Sequence, residues 1–250
     1  MKISASTLAI LVAALTVLAA PVGFRIPVSV VPLPLTIPGL KIWYKADAIT
    51  TLYDGAEFGS WSDSSGNGNN ATQGSSALRP LYKTGIQNSL PGVLFDGSND
   101  TMSFNAQSLT GDFDVFVVMR NTDAVSGSVV LTRAADSFNY AYLTPSSVRG
   151  GISGGSNLDN TYSIATGSVT ALLQLNRSGT NYTAGKNGTL NPTPTAAGSN
   201  TQSFSILGGY PDAPSISMEG YVFEVLIYDG TITSDQRASI VSYLSLKWAY

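Results

Sequence analysis

The sequence predicts an all-β protein, an antiparallel sandwich or barrel closed by one C-terminal helix and preceded by an extended N-terminal arm. Three observations predict it. Short β-prone runs recur between residues 40 and 228, each bounded by Gly, Asn, Asp or Ser, as expected of an antiparallel all-β fold. No long helical period separates them. Only 12% of residues are charged while 43% are hydrophobic, so a chain of 250 residues has the apolar surface to collapse around a full core.

Residues 1–38 differ from the rest. Lys2 precedes a mostly apolar run, Leu8 to Ala20, which matches the hydrophobic region of a secretory signal better than a membrane span of about 20 residues. Val17 and Ala19 occupy candidate positions before a cut, although Pro21 crowds it. Prolines 27, 32, 34 and 38 follow. Repeated proline disfavours a helix or a central strand and predicts an extended, polyproline-like arm. Such an arm cannot cover its own side chains, here Phe24, Ile26, Val28, Val30, Val31, Leu33 and Leu35. Three alternatives stay open: a signal cleaved near Ala19 with a short linker, a retained arm packed on a neighbouring subunit or particle protein, or a membrane anchor formed by residues 8–20.

From residue 39 onward the elements follow in order. Strands are predicted at 40–44, 92–95, 113–119, 128–132, 140–144, 169–175, 204–207 and 220–228. Asn187-Gly188 after the run 181–185 predicts a tight primed hairpin turn. The stretch Arg149 to Asn160, rich in Gly, predicts a long surface loop on which a binding site can lie. Near the end, Thr233-Ser-Asp-Gln236 has the spacing of a helix capping box, with Asp235 adding negative charge to the first turn. Ile240, Val241, Leu244 and Trp248 then recur every three or four residues, an apolar stripe that docks the helix on the sandwich.

Composition excludes whole classes of chemistry. Histidine and cysteine are both absent, which removes imidazole-dependent and thiolate nucleophile systems, zinc and iron–sulfur sites, and disulfides. A net charge of −3 with scattered Lys and Arg leaves no basic face for nucleic acid. The glutamates are Glu57, Glu219 and Glu224. Residues five apart in a regular strand point to opposite faces, so Glu219 and Glu224 do not form the paired carboxylates of a glycosidase. Asp112 and Asp114 share a face only if their strand starts early, and two aspartates at a strand entrance read as a turn. No catalytic constellation remains, and the chain is read as a non-enzyme.

Several motifs carry a family resemblance over residues 39–250. They are Gly39-Leu-Lys-Ile-Trp-Tyr-Lys-Ala-Asp47, Trp61-Ser-Asp-Ser-Ser-Gly-Asn-Gly-Asn-Asn-Ala71, Arg79-Pro80, Val93-Leu-Phe-Asp-Gly-Ser-Asn-Asp100 and Gly220-Tyr-Val-Phe-Glu-Val-Leu-Ile-Tyr-Asp229, with Lys247-Trp248 in the final helix. Together they resemble the concanavalin A-like lectin and glucanase superfamily, in its laminin-G-like bacterial and phage form. The resemblance implies a two-sheet jelly roll, often glycan-binding and sometimes calcium-binding. Candidate calcium ligands are Asp96, Asn99 and Asp100 in one loop and Asp63 in another, since calcium takes carboxylate and amide oxygens from adjacent loops; the same residues equally serve as Asx turns. Candidate sugar ligands are Asn67, Asn69, Asn70, Tyr140, Tyr142, Asn157 and Asp159, because sugars are held by aromatic faces flanked by amides and carboxylates, while Trp61 reads as core. The expected function is a non-catalytic, surface-exposed module of a larger assembly, a capsid-associated or decoration-type protein on a virus or phage particle, with host polysaccharide as a further partner. The alternative is a secreted or cell-surface lectin, and behind it a glycoside-active enzyme by analogy of fold.

Overall fold

The computed structural model describes residues 33–122, 127–133, 136–144, 146–152, 158–163, 169–209 and 217–250. The expectations for the leader, the anchor at 8–20, and Phe24, Ile26, Val28, Val30 and Val31 lie outside the described residues. In chain order the structure runs through helix α1 (Leu33–Thr36), β1 (Leu40–Lys45), β2 (Ser60–Trp61), β3 (Ala71–Thr72), β4 (Leu81–Gln87), β5 (Leu90–Asp96), β6 (Met102–Leu109), β7 (Phe113–Asn121) and β8 (Ser128–Arg133). It continues through β9 (Asp136–Thr144), β10 (Ser147–Ile152), β11 (Leu158–Ser163), β12 (Ala171–Ser178), β13 (Asn181–Lys186), β14 (Thr189–Leu190), β15 (Thr195–Ala196), β16 (Gln202–Leu207), β17 (Glu219–Asp229) and helix α2 (Ser234–Trp248).

The predicted sandwich is present, as two antiparallel sheets. The first is ordered β14-β13-β12-β7-β17-β5-β4, with β1 joined to β17 and β15 to β13; the second is ordered β11-β10-β9-β8-β16-β6-β3-β2. Strand β17 organises the first sheet. One edge pairs with β7, while the other pairs with β5 along Glu219–Val222 and then with β1 along Glu224–Tyr228. The near-continuous apolar run Phe113–Met119 is buried throughout. A strand of that composition needs cover on both sides, and it has it: the second sheet lies on one side and α2 on the other.

Helix α2 starts as its sequence dictates. The Thr233 hydroxyl accepts from the Gln236 amide, and the Gln236 side chain accepts from the Thr233 amide. Ile240, Leu244 and Trp248 are buried against the sheet. At the centre of that contact lies Glu224, fully buried. Its carboxylate accepts from Trp43 Nε1 at 2.6 Å, Trp248 Nε1 at 2.7 Å, Tyr243 Oη at 2.8 Å and Lys247 Nζ at 2.7 Å. Four donors, one of them cationic, offset the desolvation of a buried charge.

Two expectations need correction. A bulge between Val222 and Glu224 breaks the two-residue alternation, so Phe223 and Glu224 both reach Trp248, the first by ring contact at 5.2 Å. Counting by twos across that strand therefore does not fix where Glu219 and Glu224 point. Leu33–Thr36 forms a helical turn, although repeated proline predicted extension. Pro34 fits there because the first turn of a helix leaves its N–H groups unused anyway. The Pro34 carbonyl accepts from Tyr228 Oη at 3.1 Å, and Leu33 packs on the sandwich core; Leu35 is 40% exposed.

Candidate functional site

The outer face of the second sheet, across β9, β10 and β11, gathers several of the predicted sugar ligands. Alternation assigns the faces: Ala141, Leu143, Val148 and Ile152 enter the main core, which turns Tyr140, Tyr142 and Arg149 to the opposite side. There Tyr140 and Val129 form a small separate apolar cluster, with Tyr142 packed against it. Arg149 lies opposite Tyr142 on β9 and opposite Thr161 on β11, while Gly151 lies opposite both Tyr140 and Asp159. With no side chain at Gly151, Arg149 reaches diagonally to Asp159, its Nη2 donating to Oδ2 at 2.8 Å.

Aromatic and ionic groups meet in this patch. The Tyr140 and Tyr142 rings stand edge to face, centroids 6.4 Å apart at 83°. The Arg149 guanidinium carbon lies 6.0 Å from one centroid and 5.9 Å from the other, within cation–π range. Two buried atoms in the ion pair lack partners among the described residues: Arg149 Nε, a donor, and Asp159 Oδ1, an acceptor. Gly127 sits against the hydroxyl end of Tyr142 where a Cβ would come within 2.5 Å of Cζ, so glycine is required for that close approach. Beside the patch, Thr161, Tyr162 and Ser163 line a groove of about 480 Å³ with Asn191–Thr195. Asn160 points inward and holds that wall, donating to the Thr193 carbonyl at 2.9 Å and accepting from Asn191 Nδ2 at 3.0 Å.

Behind the patch, Tyr182 of β13 crosses the sandwich to Gly150. Its hydroxyl is buried without a partner among the described residues. Burial, followed by the neighbouring Tyr140 and Asp159, raises its pKa well above the usual phenol value.

Arg149 was missed by sequence reasoning because its glycine-rich surroundings read as loop. The stretch instead begins within β10 and ends within β11; Asn157 lies between them, outside the described residues. The inward positions Val148 and Ile152, with small residues between, were the available signal.

The other candidates hold turns. Asp63 accepts backbone N–H bonds from Trp43 (2.9 Å), Ser65 (2.9 Å) and Asn69 (3.0 Å). Asn67 and Asn69 donate to the carbonyls of Leu40 and Lys41, and Asn70 Oδ1 accepts from the Asp63 amide. These side chains fasten the loop after β2 onto β1. In the other loop, Asp96 Oδ1 accepts from the amides of Ser98, Asn99 and Asp100, an Asx turn in which Gly97 has φ +77°. Asp100 is buried; burial and then the Asp96 charge push its pKa up to about 6. Among the described residues no three acidic side chains meet in a group able to hold a metal ion; Asp63 Oδ1 and Oδ2, Asp96 Oδ1 and Asp100 Oδ2 accept backbone N–H bonds.

Asp112 precedes β7 and accepts from the Gly179 amide and the Thr231 hydroxyl. Asp114 binds Arg237 of α2 through both oxygens, at 2.6 and 3.0 Å. Each is engaged in anchoring. Trp61 is fully buried, as its motif implied, and Tyr53 is exposed.

Comparison with known proteins adds the fold's relatives. No protein-family model matches the chain, and no curated protein matches it in sequence. Solved structures do match. The binding domain of Paraclostridial mosquitocidal protein 1 aligns over 82% of this chain and 52% of its own, with a TM-score of 0.54 and 13% identity. Domain 4 of an extracellular arabinanase from Geobacillus stearothermophilus, solved in complex with arabinotriose, aligns over 81% of this chain and 98% of its own, with a TM-score of 0.52 and 17% identity. Trypanosoma rangeli sialidase, solved with sialic acid, aligns over 84% of this chain and 33% of its own, with a TM-score of 0.52 and 11% identity. The fold shared with these structures is the two-sheet antiparallel β-sandwich. This chain spans about half of the mosquitocidal chain, a third of the sialidase and nearly all of the arabinanase domain.

Proposed function

We propose that this chain is a non-catalytic carbohydrate-binding module of the concanavalin A-like, laminin-G-like type, and that it holds saccharide on the outer face of β9–β11. The observation that carries this is the convergence of Tyr140, Tyr142, Arg149 and Asp159 on one core-averted face. Tyrosine rings offer apolar surface to sugar C–H groups and a polar edge to hydroxyls, and an arginine–carboxylate pair supplies donors and an acceptor beside them. A neighbouring fold solved with arabinotriose supports the class of ligand. Affinity electrophoresis of the intact chain through gels cast with polysaccharides tests it. Retardation is expected in at least one gel, and Tyr142→Ala should weaken it about tenfold or more, ~1.4 kcal/mol, with the circular dichroism spectrum unchanged. Equal retardation of the variant, or none of the native chain in any gel, contradicts the assignment.

In this proposal residues 1–32 attach the module to a larger assembly, a virus or phage particle on which the sandwich is outermost. The apolar, proline-rich composition of that segment supports attachment to another polypeptide. A secreted or cell-surface lectin cleaved near Ala19 is the competing placement, and the mass of the mature chain separates the two: an intact N-terminus favours the assembly, loss of residues 1–19 the lectin. Sugar binding is proposed to need no calcium, so chelation should leave gel retardation unchanged.

A further inference from the structure

We infer that the saccharide held on β9–β11 is neutral and presents two adjacent hydroxyls to the Arg149–Asp159 pair; this rests on the module assignment above. The charge of Arg149 is already matched by Asp159 at 2.8 Å, so the site offers no spare cation to an acidic sugar. Within the pair, one buried donor and one buried acceptor have no partner among the described residues: Arg149 Nε and Asp159 Oδ1. A hydroxyl both accepts and donates. One hydroxyl accepting from Nε and its neighbour donating to Oδ1 satisfy both atoms at once. A carboxylate or sulfate has only acceptor oxygens and meets Asp159 as a like charge. The two side chains stay 37% and 27% exposed, so a rotation of each head group, at the expense of the 2.8 Å Nη2–Oδ2 bond, turns its buried unpaired atom toward ligand. The guanidinium carbon lies about equally far from the Tyr140 and Tyr142 rings; Tyr140 is buried, so the half-buried Tyr142 ring is the one left for sugar C–H contact.

Titration calorimetry on the intact chain tests this, using neutral arabinan, dextran and mixed-linkage glucan against polygalacturonate and a sialylated oligosaccharide, each in low and high salt. The expected result is binding to a neutral polysaccharide with less than about a twofold change in Kd between about 50 and 500 mM salt, as screening hardly touches a neutral ligand. Asp159→Asn should weaken that binding more than about tenfold, since its amide replaces an acceptor or breaks the ion pair, without creating acidic binding. The inference is overturned by preference for an acidic polysaccharide in the unaltered chain, weakened by salt and strengthened in Asp159→Asn; if Tyr142→Ala abolishes that binding, the module assignment survives. Absence of binding to every polysaccharide overturns both. Should the variant fail to fold, the unaltered chain alone still separates neutral from acidic preference.

Discussion

Tyr182 and Gly150 meet across the two sheets. The Tyr182 hydroxyl is buried with no partner among the described residues, and a Cβ added at Gly150 would collide with it and with Leu175 Cδ2. An unsatisfied buried hydroxyl costs about 1–3 kcal/mol. Tyr182→Phe should therefore stabilise the fold by about 1 kcal/mol in urea unfolding. Gly150→Ala should destabilise it by about 1–3 kcal/mol through overpacking. Because the two atoms share one space, the double variant should lose less than the sum of the single effects. Strict additivity would show that the two residues do not crowd each other. Residue-scale detail of this kind was only half legible in the sequence. Tyr140, Tyr142 and Asp159 were found from residue type, but their ionic partner Arg149 was not, because its pairing depends on the register of β10 with β11, which no local signal encodes.

Elements with a local chemical signature were legible. The Asn187-Gly188 turn lies between β13 and β14, with φ values of 50° and 89°, and the capping box of α2 is formed by Thr233 and Gln236. Elements set in tertiary context were not: the turn at Leu33–Thr36 is bonded at its Pro34 carbonyl by the Tyr228 hydroxyl, and the β17 bulge meets α2 through Glu224 and Trp248. That bulge aims Glu224 at Lys247, which also donates to Asp47 at 2.7 Å. Removing one partner of a buried ion pair costs about 3–5 kcal/mol. Glu224→Gln turns an amide N–H₂ toward indole donors and should cost about 3 kcal/mol, near the lower bound because Lys247 keeps Asp47. Thermal unfolding followed by tryptophan fluorescence measures it, and a loss below about 1 kcal/mol would remove Glu224 from its place as the anchor of α2.

For the whole molecule, sheet and helix divide the labour. Helix α2 covers one side of the first sheet, and the sandwich core fills the space between the sheets. That leaves the outer face of the second sheet free of any described helix, and its β9–β11 end carries an aromatic pair and an ion pair in place of plain polar cover. Among the described residues no helix is long and apolar enough to cross a membrane. In the loops after β2 and β5, which motif resemblance marked as a metal or sugar site, Asp63 and Asp96 accept from backbone amides and Asn67 and Asn69 donate to the carbonyls of β1. Amide chemical-shift mapping during titration with a bound polysaccharide fragment tests the central claim most directly. Shifts centred on Tyr140, Tyr142, Arg149, Asp159 and Thr161 are predicted; shifts centred on residues 62–70 or 96–100, with β9–β11 unmoved, would contradict it.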